Sequence, residues 1–187
     1  MPAPVYLTQD LEDVDLVAKC LGGELQAFEL LMERHERVLF TVALRMLGDR
    51  EEARDATQNT FLKVYQRLDT FDSSYRFFSW VYKIMLNECL NVQRARRLFS
   101  EASGPEPATS DGPFEAFEAE ERRQRVQAAL LALPREYREV VVLRHFADLS
   151  YEEIAAAAGV PVRTVKSRLY TARQRLGQLL QAAGSPE

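Results

Sequence analysis

Apolar residues recur along this chain every three or four positions, the spacing of a buried helix face. No stretch alternates convincingly with the period of two that marks a half-buried strand. Residues 10–21 read as a short helix ended by Gly22 and Gly23. Within 24–47, Phe28, Leu31, Val38, Leu39, Val42 and Met46 fall where one helix can bury them. "GDRE" at 48–51 reads as a turn and 51–68 as a further helix. "TFDSS" at 70–74 breaks the pattern before a long helix from about Tyr75 to Arg97. Arg94, Arg96 and Arg97 close it, where cations suit the carbonyl end of the helix dipole.

The last third reads helix, helix, turn, helix. Pro134 suits a first helical turn, and Ser150 with Glu153 has the spacing of a capping box. Gly159 permits the left-handed residue that ends that helix. Pro161 then opens a last helix reaching Leu180. Between the two halves lies "LFSEASGPEPATSDGPFEAFEAEE", whose first part has too little apolar surface to repay ordering. Its later "FEAFEAEERR" has the composition to begin the next helix. The expected architecture is all-α: two helical domains, 1–97 and 122–187, joined by a flexible acidic linker at 98–121.

Charge sharpens this division. The formal net charge is −4, yet residues 98–121 hold no Lys or Arg against 7 acids. Residues 1–97 hold 13 basic and 15 acidic residues, and residues 122–187 hold 11 and 6. The acid is concentrated in the middle and the C-terminal third is basic. Cys20 and Cys89 form neither a disulfide framework nor a metal-ligand spacing, and their apolar flanks suit buried thiols. No basic-then-apolar leader opens the sequence and no apolar run approaches the ~18 residues of a bilayer span, so no membrane insertion is expected.

The basic residues concentrate in "SYEEIAAAAGVPVRTVKSRLYTARQRL". Ala155 and Ala158 are expected to face inward with Ile154. Beyond Gly159, Val162, Val165, Leu169, Ala172 and Leu176 form one apolar stripe. The opposite face carries Arg163, Thr164, Lys166, Ser167, Tyr170, Thr171, Arg173 and Gln174, with Arg168 beside it. An ordinary hairpin with a solvated basic face has some of these features. The small residues, the cap and the acid-free outer face together fit a helix-turn-helix whose second helix enters a major groove.

Another constellation is "FDSSYRFFSWVYK", in which Tyr75, Phe77, Phe78 and Trp80 crowd a helix start beside basic residues. Aromatic faces with adjacent cations are the chemistry of single-strand capture, although Phe78 and Trp80 equally suit a core. His35 and His145 lack a nucleophile or metal partner at an interpretable spacing, and no phosphate-cradling glycine loop occurs. No enzymatic activity, cofactor or metal is expected.

"LPREYREVVVLRHFADLSYEEIAAAAGVPVRTVKSRLYTARQRL" resembles domain 4 of the sigma-70 superfamily. "AFELLMERHERVLFTVALRMLGDREEARDATQNTFLKVYQRLDTFDSSYRFFSWVYKIMLNECLNVQRARR" resembles its domain 2. With only a short linker between them, the chain is similar to the extracytoplasmic-function (ECF) sigma factors of bacteria. The resemblance implies a cytoplasmic subunit that binds core RNA polymerase and directs transcription initiation at promoter DNA. Contacts with the beta-prime clamp helices would involve Asp55, Gln58, Asn59, Phe61 and Lys63, and the beta flap is a further implied polymerase contact. The family pattern usually has an acid where Asn59 stands. By the same resemblance, the −10 element would be bound by the loop Asp72, Ser73, Ser74, Tyr75 and Arg76, holding a flipped base. Lys83, Asn87, Asn91, Arg94, Arg96 and Arg97 would continue that path. The −35 duplex would be read by Arg163, Thr164, Lys166, Ser167, Arg168, Tyr170 and Arg173; many relatives carry Gly where Arg163 stands. An anti-sigma factor is a further implied partner.

Two other classes remain open to the residues alone. A free-standing helix-turn-helix regulator would bind paired half-sites without polymerase, leaving "DATQNTFLKVY" without a role. A helical interaction scaffold would show no salt-dependent DNA binding.

Overall fold

The structure, a computed structural model, describes residues 12–100 and 114–184, and every extended element in them is helical. Helix α1 spans Asp13–Leu21, α2 Leu25–Leu47, α3 Arg50–Gln66 and α4 Phe77–Ser100. A 3₁₀ turn at Leu68–Thr70 separates α3 from the loop that leads into α4. The second half contains α5 (Phe114–Ala132), α6 (Arg135–Phe146), α7 (Tyr151–Ala158) and α8 (Val162–Gly184). Helix α4 runs to Ser100 and α5 begins at Phe114, both inside the segment expected to be a linker; the remainder of that segment, residues 101–113, lies outside the described residues.

The first bundle is built by α2, α3 and α4, with α1 laid along α2. Leu31, Leu39, Val42, Ala43 and Met46 of α2 are fully buried, against Ala53, Ala56 and Val64 of α3 and Val81, Tyr82 and Met85 of α4. Asp49 caps α3 by accepting from the Glu52 amide at 2.8 Å. Asp13 anchors α1, accepting from Arg34 at 2.7 Å and lying 2.9 Å from the His35 ring. Cys89 is buried, which pushes its thiol up to about 12, while Cys20 is half-buried.

In the second bundle α8 packs on α5, α6 and α7. The expected stripe forms the contact: Val165, Leu169 and Ala172 are buried, with Val162 and Leu176 half-buried at its ends. The Ser150–Glu153 capping box is present, and Gly159 ends α7 at φ 66°. Pro134 sits at the cap of α6, one position before its first turn. The alanine expectation needs correction. Ala157 is the fully buried one, on the face of the buried Ile154, while Ala155 and Ala158 are half-buried at the flanks of that face.

The two bundles share one apolar core. Their polar seam is the C-terminus of α2, whose last carbonyls lack intrahelical donors. The Met46 carbonyl accepts from Arg138 of α6 at 2.7 Å and from Gln93 of α4 at 3.3 Å. The Leu44 carbonyl accepts from Gln127 of α5 at 3.2 Å, and that of Leu47 from Arg96 of α4 at 3.1 Å. Side chains from three other helices thus complete this end. Gly48 makes the turn at φ 79°, a left-handed conformation that favours glycine, and Leu131 of α5 packs its side chain over it.

Candidate polymerase and nucleic-acid interfaces

Helix α3 presents Asp55, Gln58, Asn59 and Leu62 to solvent, with Leu62 56% exposed. Its next row faces α2 and forms one wall of an apolar groove of about 640 Å³. Phe28, Met32 and Phe40 of α2 form the opposite wall, and Gln58, Phe61, Leu62 and Tyr65 the near one. Phe28 and Tyr65 meet edge-to-face, with centroids 5.0 Å apart. A groove of this shape takes the apolar side of a helix. Of the residues expected to meet polymerase, Asp55, Gln58 and Asn59 are exposed and Phe61 is buried into the groove floor. Lys63 turns away: its Nζ lies 2.5 Å from Glu88 Oε1 of α4, holding α3 to α4. The groove was missed in the sequence, although Phe28, Met32, Glu36 and Phe40 lie four apart along one edge of α2.

The loop before α4 is tightened by Asp72, whose Oδ1 accepts from the Ser74 amide at 2.9 Å. That backbone hydrogen bond holds the Asp72 carboxyl below the usual carboxylate range. Ser73, Ser74, Tyr75 and Arg76 are exposed, whereas Phe77 is buried and meets Phe71 edge-to-face. Phe78 and Trp80 are half-buried, between the two roles the sequence allowed. Thr70, Asp72, Tyr75, Ser79, Trp80 and Lys83 surround a pocket of about 230 Å³, with Lys83 lying 5.9 Å from the Tyr75 ring centre. Lys83, Asn87, Asn91 and Arg94 run along the exposed side of α4, and Arg97 is exposed beyond them. Arg96 is exposed as well, but its guanidinium is engaged within the fold. It donates from Nε to Glu52 at 2.7 Å as well as to the Leu47 carbonyl, and so ties α4 to α2 and α3.

On α8, Arg163, Lys166, Ser167, Tyr170 and Arg173 are exposed along one side, while Thr164 is half-buried. Arg168 is half-buried too, and its charge acts on Glu139 of α6 rather than facing outward with the others. Lys166 and Arg144 both approach the Tyr151 ring, at 6.0 and 5.6 Å, so the first turn of α7 borders this basic face. His145 lies near Arg173. Partial burial, then the charges of Arg173 and Arg144, hold its pKa below the ordinary value. Among the described residues, no cluster of His, Cys, Asp and Glu could hold a metal ion, and no helix is long and apolar enough to cross a membrane.

An exposed basic helix set on a helix-turn-helix, with a separate aromatic and basic loop on a second bundle, defines a two-part DNA-binding transcription factor. Residues 31–99 match the family model for Sigma-70 region 2, and residues 123–176 that for Sigma-70, region 4. The chain is 33% identical to the RNA polymerase sigma-H factor of Pseudomonas aeruginosa, over 94% of this chain and 96% of that one. It is 32% identical to the ECF RNA polymerase sigma factor SigW of Bacillus subtilis, over 85% and 91%. Among solved structures, CnrH in complex with the cytosolic domain of CnrY is similar at a TM-score of 0.74, with 29% identity over 91% of this chain and 97% of that one. The sigma factor RpoE of Bartonella quintana, solved with the anti-sigma factor NepR, gives a TM-score of 0.66 and 26% identity over 82% and 96%. The chain belongs to the ECF sigma factors of the sigma-70 family. It is a non-enzymatic transcription initiation factor of RNA polymerase.

Proposed function

We propose that this chain docks on core polymerase through the exposed row of α3, with Asp55, Gln58, Asn59 and Leu62 as its contacts and Phe61 as their support. Lys63 acts inside the fold, by holding Glu88. The loop Asp72–Arg76 and the α4 ribbon Lys83, Asn87, Asn91 and Arg94 bind the −10 element, with Arg97 at its end. Arg163, Lys166, Ser167, Tyr170 and Arg173 read the −35 duplex. Arg96 and Arg168 serve packing. The observation that carries this reading is the placement of two separate candidate DNA faces on two bundles, with the α3 row apart from both.

The polymerase supplies the chemistry of RNA synthesis and this chain supplies promoter choice, in the bacterial cytoplasm. The apolar groove beside Leu62 suits a helix of an anti-sigma factor. A protein filling it would cover Gln58 and Leu62 and so compete with polymerase.

Run-off transcription from a pool of random −35 and −10 sequences, with bacterial core polymerase, tests the assignment. Transcripts that share a two-part motif and need this chain are expected. Loss of those transcripts with Leu62→Asp, while unfolding is unchanged, would place polymerase on the α3 row. Unimpaired transcription with that variant would remove it.

A further inference from the structure

Helix α1 contributes no residue to the faces assigned to polymerase or promoter. It also lies ahead of residues 31–99, the part matched to Sigma-70 region 2. Two routes nevertheless join it to the loop before α4. It packs on the 3₁₀ turn Leu68–Thr70, whose last residue lines the pocket beside Trp80. Its first residue, Asp13, reaches across to α2, where Oδ1 accepts from Arg34 and Oδ2 lies 2.9 Å from His35 Nε2. Burial opposes ionisation of Asp13, but the hydrogen bond and charge of His35, ahead of those of Arg34, hold its carboxyl below the ordinary value.

His35 begins a continuous row of rings. Its side chain is 12% exposed. Its ring centre lies 5.5 Å from that of Phe77 and 6.0 Å from that of Phe78. Phe77 in turn lies 5.4 Å from Phe71 and 5.9 Å from Trp80, and those two rings are 5.5 Å apart. The row ends at the promoter loop: Phe71 directly precedes Asp72, and Trp80 lines the pocket with Tyr75 and Lys83. The outer torsion of an imidazole has a broad, shallow preference, so packing alone does not fix the ring plane. A hydrogen bond to one ring nitrogen does, and Asp13 supplies it. The plane so fixed is the surface on which Phe77 packs, and Phe77 is the common neighbour of Phe71 and Trp80.

We propose that Asp13 and His35 are positioning residues for the −10 element. Held by Asp13, the His35 ring sets Phe77, and Phe77 holds Phe71 and Trp80 where the unpaired strand is received. Neither residue touches DNA. The proposal rests on the assignment of the 72–76 loop to the −10 element. It gives α1 a part in promoter binding that is separate from polymerase docking and from reading of the −35 duplex.

The experiment uses holoenzyme assembled from bacterial core polymerase and the full chain, with Asp13→Ala, Asp13→Asn or Tyr75→Ala. One probe is a promoter recovered from the run-off pool, its −10 segment kept unpaired by mismatches. The other ends upstream of the −10 element and keeps only the −35 duplex. Asp13→Ala is expected to weaken binding of the unpaired probe about three- to tenfold, roughly the effect of one hydrogen bond. The −35 probe and the affinity for core polymerase should be unchanged. Asparagine offers the ring both an acceptor and a donor, so Asp13→Asn should recover most of the loss. Trp80 is the single tryptophan, and acrylamide quenching of the free chain should rise with Asp13→Ala but not with Asp13→Asn.

A pair that merely anchors α1 would lower the urea midpoint of Asp13→Ala and leave both probes bound as before; that result would overturn the proposal. Equal losses on both probes would overturn it too, as would a loss on the unpaired probe with unchanged Trp80 quenching. Tyr75→Ala identifies which reading has failed. Weaker binding of the unpaired probe with Tyr75→Ala but not with Asp13→Ala removes only the positioning pair. No weakening with either variant removes the loop itself from the −10 element.

Discussion

Arg138 of α6 donates through Nη1 to the Met46 carbonyl at 2.7 Å, joining residues 92 apart in sequence. Its Nη2 donates to the carbonyls of Leu131 at 2.6 Å and Leu133 at 3.1 Å. One buried guanidinium thus completes the ends of two helices, α2 and α5, and sets how the bundles meet. Arg138→Ala removes this donor from the Leu131 and Leu133 carbonyls and leaves Gln93 as the side-chain donor to Met46. Each hydrogen bond from a charged group is worth about 1.5–3 kcal/mol, and a buried acceptor left without its donor costs about 1–3 kcal/mol. A fall of that size in unfolding free energy, read by urea denaturation, is the expected outcome; a fall below 1 kcal/mol would show that the seam is not structural.

Lys63 and Glu88 test whether a motif residue serves the partner or the fold. The Glu88 side chain is 10% exposed and the Lys63 side chain 38%. Solvent screens the attraction at the lysine end, so the main cost of Lys63→Met is the stranded carboxylate, about 1–3 kcal/mol. The double variant Lys63→Met with Glu88→Leu should recover most of it in thermal unfolding. Polymerase affinity of the double variant should match the starting protein; a large loss would return Lys63 to the interface.

Glu139 of α6, buried near Tyr82 of α4, should make stability depend on pH. Burial pushes its carboxyl up, against the opposing pull of Arg135 and Arg168. Its Oε1 and the Tyr82 hydroxyl are both buried without a hydrogen bond of ordinary geometry. A carboxyl whose pKa is raised by folding favours the folded state fully below its unfolded value, about 4.3, and that contribution is lost as pH rises through the folded value. Glu139→Gln should therefore raise the urea midpoint at pH 7, and the gain should vanish at acid pH below about 4. A gain independent of pH would show that the charge is not the cause.

The exposed side of α8 separates base contacts from phosphate contacts. Lys166→Ala should weaken duplex binding about equally for all sequences and lower the salt slope by about 1, as loss of one phosphate partner does. Arg163→Gly should alter sequence preference as well, since each bidentate base contact discriminates by about 1–3 kcal/mol. Binding of both variants to a duplex library at two salt concentrations reads the difference. Unchanged affinity and preference for Arg163→Gly would remove that residue from the reading surface.

The helices, the cap at Ser150, the left-handed end at Gly159 and the apolar stripe of α8 were legible in the residue order alone. These depend on local spacing and on backbone conformations that only a few residues adopt. It also carried the two motif regions that place the chain among the ECF sigma factors, because surface chemistry of this kind is concentrated in short contiguous segments. Packing between separate helices settled which motif cations are engaged within the fold. Lys63, Arg96 and Arg168 have the same residue types as the exposed ones, but they act on Glu88, Glu52 and Glu139 across distances the sequence does not order. The groove beside Leu62, the seam at Met46 and the meeting of Arg76 with Glu153 are of the same kind. Each arises where two separately specified helices meet, and helix–helix contact depends on side chains distant in the chain, which periodicity within one helix does not encode.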